Sequence, residues 1–164
     1  PGIMRQPYPI EFLFSPGRVT VFAETYSQAR RIHVDGNPLP ADPDQLFNGT
    51  SAGRWEGDML VVDTIGFNPL VTWLAGIQPS EQMRIHEHFW LAAPDQLMLE
   101  TTITDPANLA EPLVQLLAFR RQPDWQIREY VCEENNRLEP GEDGANINLG
   151  FEAEEGDPFG PPPE

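Results

Sequence analysis

The sequence predicts an all-β fold, and three observations carry that prediction. Short runs of alternating apolar and polar residues recur along the chain, the period of a strand with one buried face. Eighteen Pro and 13 Gly in 164 residues punctuate those runs too often for long helices. No helical periodicity of useful length competes. The expected architecture is an antiparallel meander of about eight to ten strands, a number that closes into a barrel or folds into a two-sheet sandwich. It should occupy residues 1–136, with an extended acidic tail over 137–164.

Residues 1–17 are broken by Pro1, Pro7, Pro9 and Pro16 and leave room for one strand, Ile10 to Phe14. Arg18 to Tyr26 places Val19, Val21 and Ala23 on one face and Thr20, Phe22 and Glu24 on the other, and Ala29 to Asp35 alternates likewise. Residues 36–52 carry a turn former every two or three positions and read as a long loop, a candidate lid or docking loop. Within it Asn48-Gly49-Thr50 satisfies a glycosylation sequon, but Asn-Gly is equally a turn dipeptide, and the turn is preferred. The stretch from Gly53 to Phe67 is a hairpin about Glu56-Gly57-Asp58, with Gly57 supplying the positive φ of a tight turn. After a second loop, Asn68 to Gln82, two long strands flank Ala92-Ala93-Pro94-Asp95: Met83 to Ala93 and Gln96 to Asp105. Leu113 to Arg121 and Ile127 to Glu133 form the last pair, turning at Gln122-Pro123-Asp124.

Twenty-six acidic residues against ten basic ones give a formal net charge of −16, and every base is Arg. Such a surface repels phosphate, so nucleic acid and anionic lipid are excluded as expected partners. No apolar run approaches the ~18–20 residues of a membrane-spanning helix. The chain starts at Pro1 without Met, which fits Met removal or a longer precursor. The single Cys132 stands beside Glu133 and Glu134, the wrong sign to activate a thiol, and reads as a small buried hydrophobe.

From Asn136 the composition changes to acids, Gly and Pro, with one Arg at its start. Alone it is too poor in apolar residues to offset its ordering entropy. Ile147, Leu149, Phe151 and Phe159 are its apolar anchors, expected to dock on a partner protein or a second copy of the chain. Trp73 and Trp125, in or beside loops, are expected to join such contacts, whereas Trp55 and Trp90 lie on strands and are assigned to core packing.

Two constellations could carry chemistry. His86-Glu87-His88 sets two imidazoles two residues apart on a strand, hence on one face, a spacing that suits Zn or Cu. The remaining histidine, His33, is the candidate third ligand. If Pro94-Asp95 is a two-residue turn, Glu87 faces Thr102 and Phe89 faces Glu100, so that Glu87 and Glu100 share a face as a possible buried acid pair. A one-residue bulge would separate them, and pairing of each acid with an Arg such as Arg31 or Arg120 is the favoured alternative, since Arg suits forked carboxylate pairing. No Ser-His-Asp order, phosphate loop, dinucleotide fingerprint or Cys-His cluster is present in the sequence.

The segment Asn48-Gly49-x-Ser51-x-Gly53-Arg54-Trp55-Glu56-Gly57-Asp58-x-Leu60-Val61-Val62-Asp63-Thr64 resembles an uncharacterised family of exported bacterial proteins with a GRWEGDTLVVDT signature. Pro7-Tyr8-Pro9 with Glu11-Phe12, Arg30-Arg31-Ile32 with Asp35-Gly36, Thr102-Ile103 with Asp105-Pro106, and Tyr130-x-Cys132-x-Glu134-Asn135 extend the likeness over about residues 1–136. The resemblance implies a periplasmic or extracellular β-domain and transfers no catalytic residue. Such proteins often carry His where this chain has Thr50 and Pro79, so chemistry that depends on those histidines would be missing here.

These readings point to a non-catalytic exported interaction or structural subunit, without an obligatory cofactor, whose tail docks on a partner or another copy. The alternative is a small-molecule-binding barrel or a metal-assisted enzyme using His86 and His88, or Glu87 and Glu100.

Overall fold

The computed structural model describes residues 2–71 and 78–129, together with the backbone of two short strands at 139–140 and 147–148. The chain divides into two units, Pro1–Tyr130 and Val131–Glu164. The first is an all-β domain whose eight-stranded sheet curls into a half-barrel. Its strands are β1 (Ile10–Ser15), β2 (Arg18–Ala23), β3 (Gln28–His33), β4 (Thr50–Glu56), β5 (Met59–Ile65), β6 (Arg84–Ala93), β7 (Gln96–Thr104) and β8 (Leu113–Arg120), and their order in the sheet is their order in the chain. In the second unit β9 (Glu139–Pro140) and β10 (Ile147–Asn148) pair antiparallel.

Each hairpin follows from its turn chemistry. Ser15-Pro16-Gly17 ends β1, and Gly17 takes the positive φ needed to return the chain as β2. Glu56 pairs with Met59 across the two-residue turn Gly57-Asp58, where Gly57 has φ +62° in the first central position. One connection departs from the expected all-antiparallel meander: β3 pairs with β4 in parallel, through Ile32 with Ser51 and His33 with Ala52. A parallel neighbour requires a long connection that carries the chain back to its starting end, and the loop over 34–49 provides it. Thr50 to Ala52, read from the sequence as loop, begin β4. Gly49 has φ +66° and its N–H bonds to the Leu46 carbonyl, while the Asn48 side-chain amide donates to Gln28, so Asn48-Gly49 is a turn.

The sheet buries one face. Val19, Val21, Ile32, Leu60, Val62, Phe89 and Leu99 line the inside of the half-barrel, joined by Ile3 and Met4 from a 3-10 turn at Gly2–Arg5. A smaller cluster of Phe67, Met83, Ile85 and Ile103 forms a second patch of core. The expected alternation in β2 is present as drawn, with Val19, Val21 and Ala23 all buried. The strand expected over Ile127 to Glu133 is not formed in its described part: 125–129 are irregular. There the Arg128 backbone N–H bonds to the Glu24 carboxylate, which carries the chain away from β8.

Candidate functional site

Two polar clusters lie on opposite faces of the sheet. The inner one is sealed. Arg30 on β3 reaches past Ser51 on β4 and Thr64 on β5 to Glu87 on β6, and Arg30 and Glu87 are 1% and 0% exposed. Its Nη1 donates to Glu87 Oε1 at 3.0 Å and its Nη2 to Oε2, a forked pair. Nε and Nη2 also donate to Ser51 Oγ at 3.3 and 3.2 Å, and Nη2 to Thr64 Oγ1 at 3.0 Å. Small hydroxyl residues at 51 and 64 leave the width that a guanidinium needs. Burial alone would raise the Glu87 carboxyl, but the Arg30 charge and its hydrogen bonds outweigh it and hold the group below its ordinary range. An anion so held neither donates a proton nor meets solvent. This cluster is therefore structural.

The acid pair expected from the sequence does not form. Glu87 lies opposite Thr101 and His88 opposite Glu100, because the β6–β7 ladder shifts register between Leu91 and Ala93. One extra residue on a strand moves every later side chain to the opposite face of the sheet. Glu87 consequently points inward and Glu100 outward. The forked Arg pairing expected for Glu87 is present, with Arg30 as the partner instead of Arg31 or Arg120.

The outer cluster is open to solvent. Asp63 on β5 lies directly opposite His86 on β6, and His88 opposite Glu100 on β7, so the register alone sets the four side chains in two adjoining rows. His86 Nδ1 lies 2.7 Å from Asp63 Oδ1, and His88 Nδ1 lies 3.3 Å from Glu100 Oε1. The rings meet edge to face with centroids 4.7 Å apart, and their Nε2 atoms are 3.2 Å apart. Arg54 extends the cluster on β4: its guanidinium is 3.5 Å from Asp63 and 2.7 Å from Glu56. The rings are 38% and 29% exposed.

The proton inventory of this cluster is constrained. A carboxylate oxygen accepts, so each Nδ1 facing one is placed to donate when it carries the ring hydrogen. In that tautomer both Nε2 atoms are acceptors, 3.2 Å apart on rings that meet edge to face. A proton shared between the two nitrogens, or a metal ion bound to both, would satisfy that arrangement.

His33 is exposed on the same outer face but sits on β3, three strands from His86, which at ~4.8 Å per strand is about 14 Å. It does not join the pair, and among the described residues no third His, Cys, Asp or Glu completes a group of three around a metal position. Trp55, expected in the core, is half exposed near the end of β4, with its ring 6.5 Å from that of the exposed Phe14. With Trp90, Met59 and Leu91 it lines an open cleft of about 510 Å³. Trp125 is exposed. Trp73, Leu149, Phe151 and Phe159 lie outside the described residues, and of Ile147 only the backbone pairing with Pro140 is described. Sequence reasoning missed Asp63, Arg54 and Arg30. Asp63 lies within the signature stretch, but only a register shows that it backs His86.

No protein-family model, curated protein or solved structure matches the chain.

Proposed function

We propose that this chain is an exported β-domain that binds a divalent transition-metal ion, zinc in preference to copper, between His86 Nε2 and His88 Nε2. One observation carries the reading: two imidazole nitrogens 3.2 Å apart, on rings whose other nitrogens each face a carboxylate. Tetrahedral zinc with bonds of ~2.0–2.1 Å sets two ligand nitrogens about 3.3–3.4 Å apart. A tetragonal copper site with similar bonds would set cis nitrogens roughly 2.9 Å apart. The 3.2 Å spacing, also that of a hydrogen bond between the two nitrogens, needs little adjustment to fit the first. The carboxylate on each Nδ1 is the second shell that orients metal-bound histidines and raises their basicity.

The role is binding and not catalysis. Asp63 and Glu100 face the histidines and Glu87 is sealed on the far face, so among the described residues none of these three carboxylates is placed for general-base work at this position. Export is supported by the resemblance to exported bacterial β-domains. Docking of residues 137–164 on a partner protein is supported by their composition.

The test is metal analysis of the full chain purified without an affinity tag, followed by Zn(II) titration against a competing indicator. The expected result is Zn(II) binding that His86→Ala and His88→Ala each abolish. Absence of binding in the unaltered chain, or binding that both variants retain, overturns the reading.

A further inference from the structure

We infer that the metal position on β6 is half of a site, and that a second copy of this chain completes it, so that one Zn(II) bridges two outer sheet faces through four histidines. The inference rests on the metal reading above and adds what fills the remaining coordination positions.

The geometry supplies two ligands where a closed tetrahedral site takes four. His86 and His88 alternate with the inward Glu87 on one strand, so both stand on the same outer surface, where a second molecule can reach them. Among the described residues none supplies a third ligand. A second copy of the chain can supply two more donors. A two-fold axis through the metal supplies them most simply, because an isologous contact brings the same two histidines from the other copy.

The surface around the pair suits this occupant. Along the two rows that hold the histidines, Thr102 pairs with Val114 and Glu100 with Leu116. Val114 and Leu116 are 58% and 59% exposed on the same outer face. Apolar side chains beside a metal position give two copies something to bury against each other. The charge supplies the switch. Each copy brings Glu100 and the Asp63 carboxylate, which Arg54 partly offsets, to the contact, so two bare faces set like charges against each other. A dication held between the histidines of the two copies offsets that repulsion. Pairing should therefore depend on the metal, and the metal should bind more tightly as the chain concentration rises.

Sedimentation equilibrium of the full, untagged chain with and without Zn(II), combined with equilibrium dialysis of the same samples, tests the inference. The expected result is a monomer in chelator, and with Zn(II) a doubled mass at one zinc per two chains. Leu116→Glu leaves every histidine and carboxylate of the site in place and adds like charge to the contact. It should bind Zn(II) but stay monomeric. One zinc bound per chain on a monomer overturns the bridge while leaving the metal reading intact. No zinc bound at all overturns both. A Leu116→Glu chain that still doubles its mass with Zn(II) overturns the proposed contact face.

Discussion

Arg30 and Glu87, 57 residues apart in the chain, close a forked ion pair in which neither side chain is more than 1% exposed. Removing one partner leaves the other charged and buried, which costs about 3–5 kcal/mol. Arg30→Met and Glu87→Leu should each lower the unfolding free energy by about that amount in urea titrations. The double variant should cost less than either alone, because it leaves no orphaned charge. A double variant as destabilised as the sum of the singles would show that the two residues do not act as a pair.

The same pair sets an acid limit. The Glu87 carboxyl is held below its ordinary value of 4.5 and that of Asp105 below 3.8, the latter because bonds from Ser80 and Asn108 outweigh the effect of burial. Below those ordinary values the unfolded chain takes up protons that the folded chain resists. Stability contributed by both groups is thus present above about pH 5 and falls away as the pH drops through the folded-state values. Unfolding free energy measured from pH 6 to pH 3 should decline, and Glu87→Gln should show a shallower decline from a lower starting stability. A slope unchanged by that substitution would remove Glu87 from the account.

Two turn glycines should respond unequally to alanine. Both have positive φ, +62° at Gly57 and +66° at Gly49, which costs an L-residue roughly 1–2 kcal/mol. A Cβ on Gly57 meets nothing within 4 Å, whereas one on Gly49 would stand 2.7 Å from the Ile65 carbonyl oxygen and 2.8 Å from the Thr64 methyl. Gly57→Ala should therefore cost about 1–2 kcal/mol, and Gly49→Ala more by the added ~1–3 kcal/mol of overpacking. Equal losses in thermal or urea unfolding would contradict the close approach at Gly49.

The carboxylates behind the histidines should rank by distance. Removal of a second-shell partner typically weakens metal binding ~10–100-fold. Asp63 at 2.7 Å holds its ring more closely than Glu100 at 3.3 Å. Asp63→Ala is expected to weaken Zn(II) binding within that range, and Glu100→Ala less. The reverse order in indicator competition would mean that the shorter contact does not orient the ligand.

What the sequence determined by itself was local. Period-two patterning identified the strands, and Gly57 with the turn clusters identified most of the hairpins, because both depend on neighbours a few residues away. That His86 and His88 share a face also follows from sequence alone, since i and i+2 on a strand always do. Tertiary structure decided everything that depends on register and partner choice. The irregularity between Leu91 and Ala93 separated Glu87 from Glu100, a one-residue matter that no composition reveals. The loop over 34–49 turned β4 parallel to β3, and with it placed Ser51 where Arg30 could pass toward Glu87. Likewise Asp63 stands behind His86 only because β5 and β6 pair in one register, and His33 is excluded because two whole strands lie between β3 and β6. Strand pairing is set by the summed burial of a whole inner face, so its consequences for single side chains become legible only once that face has closed.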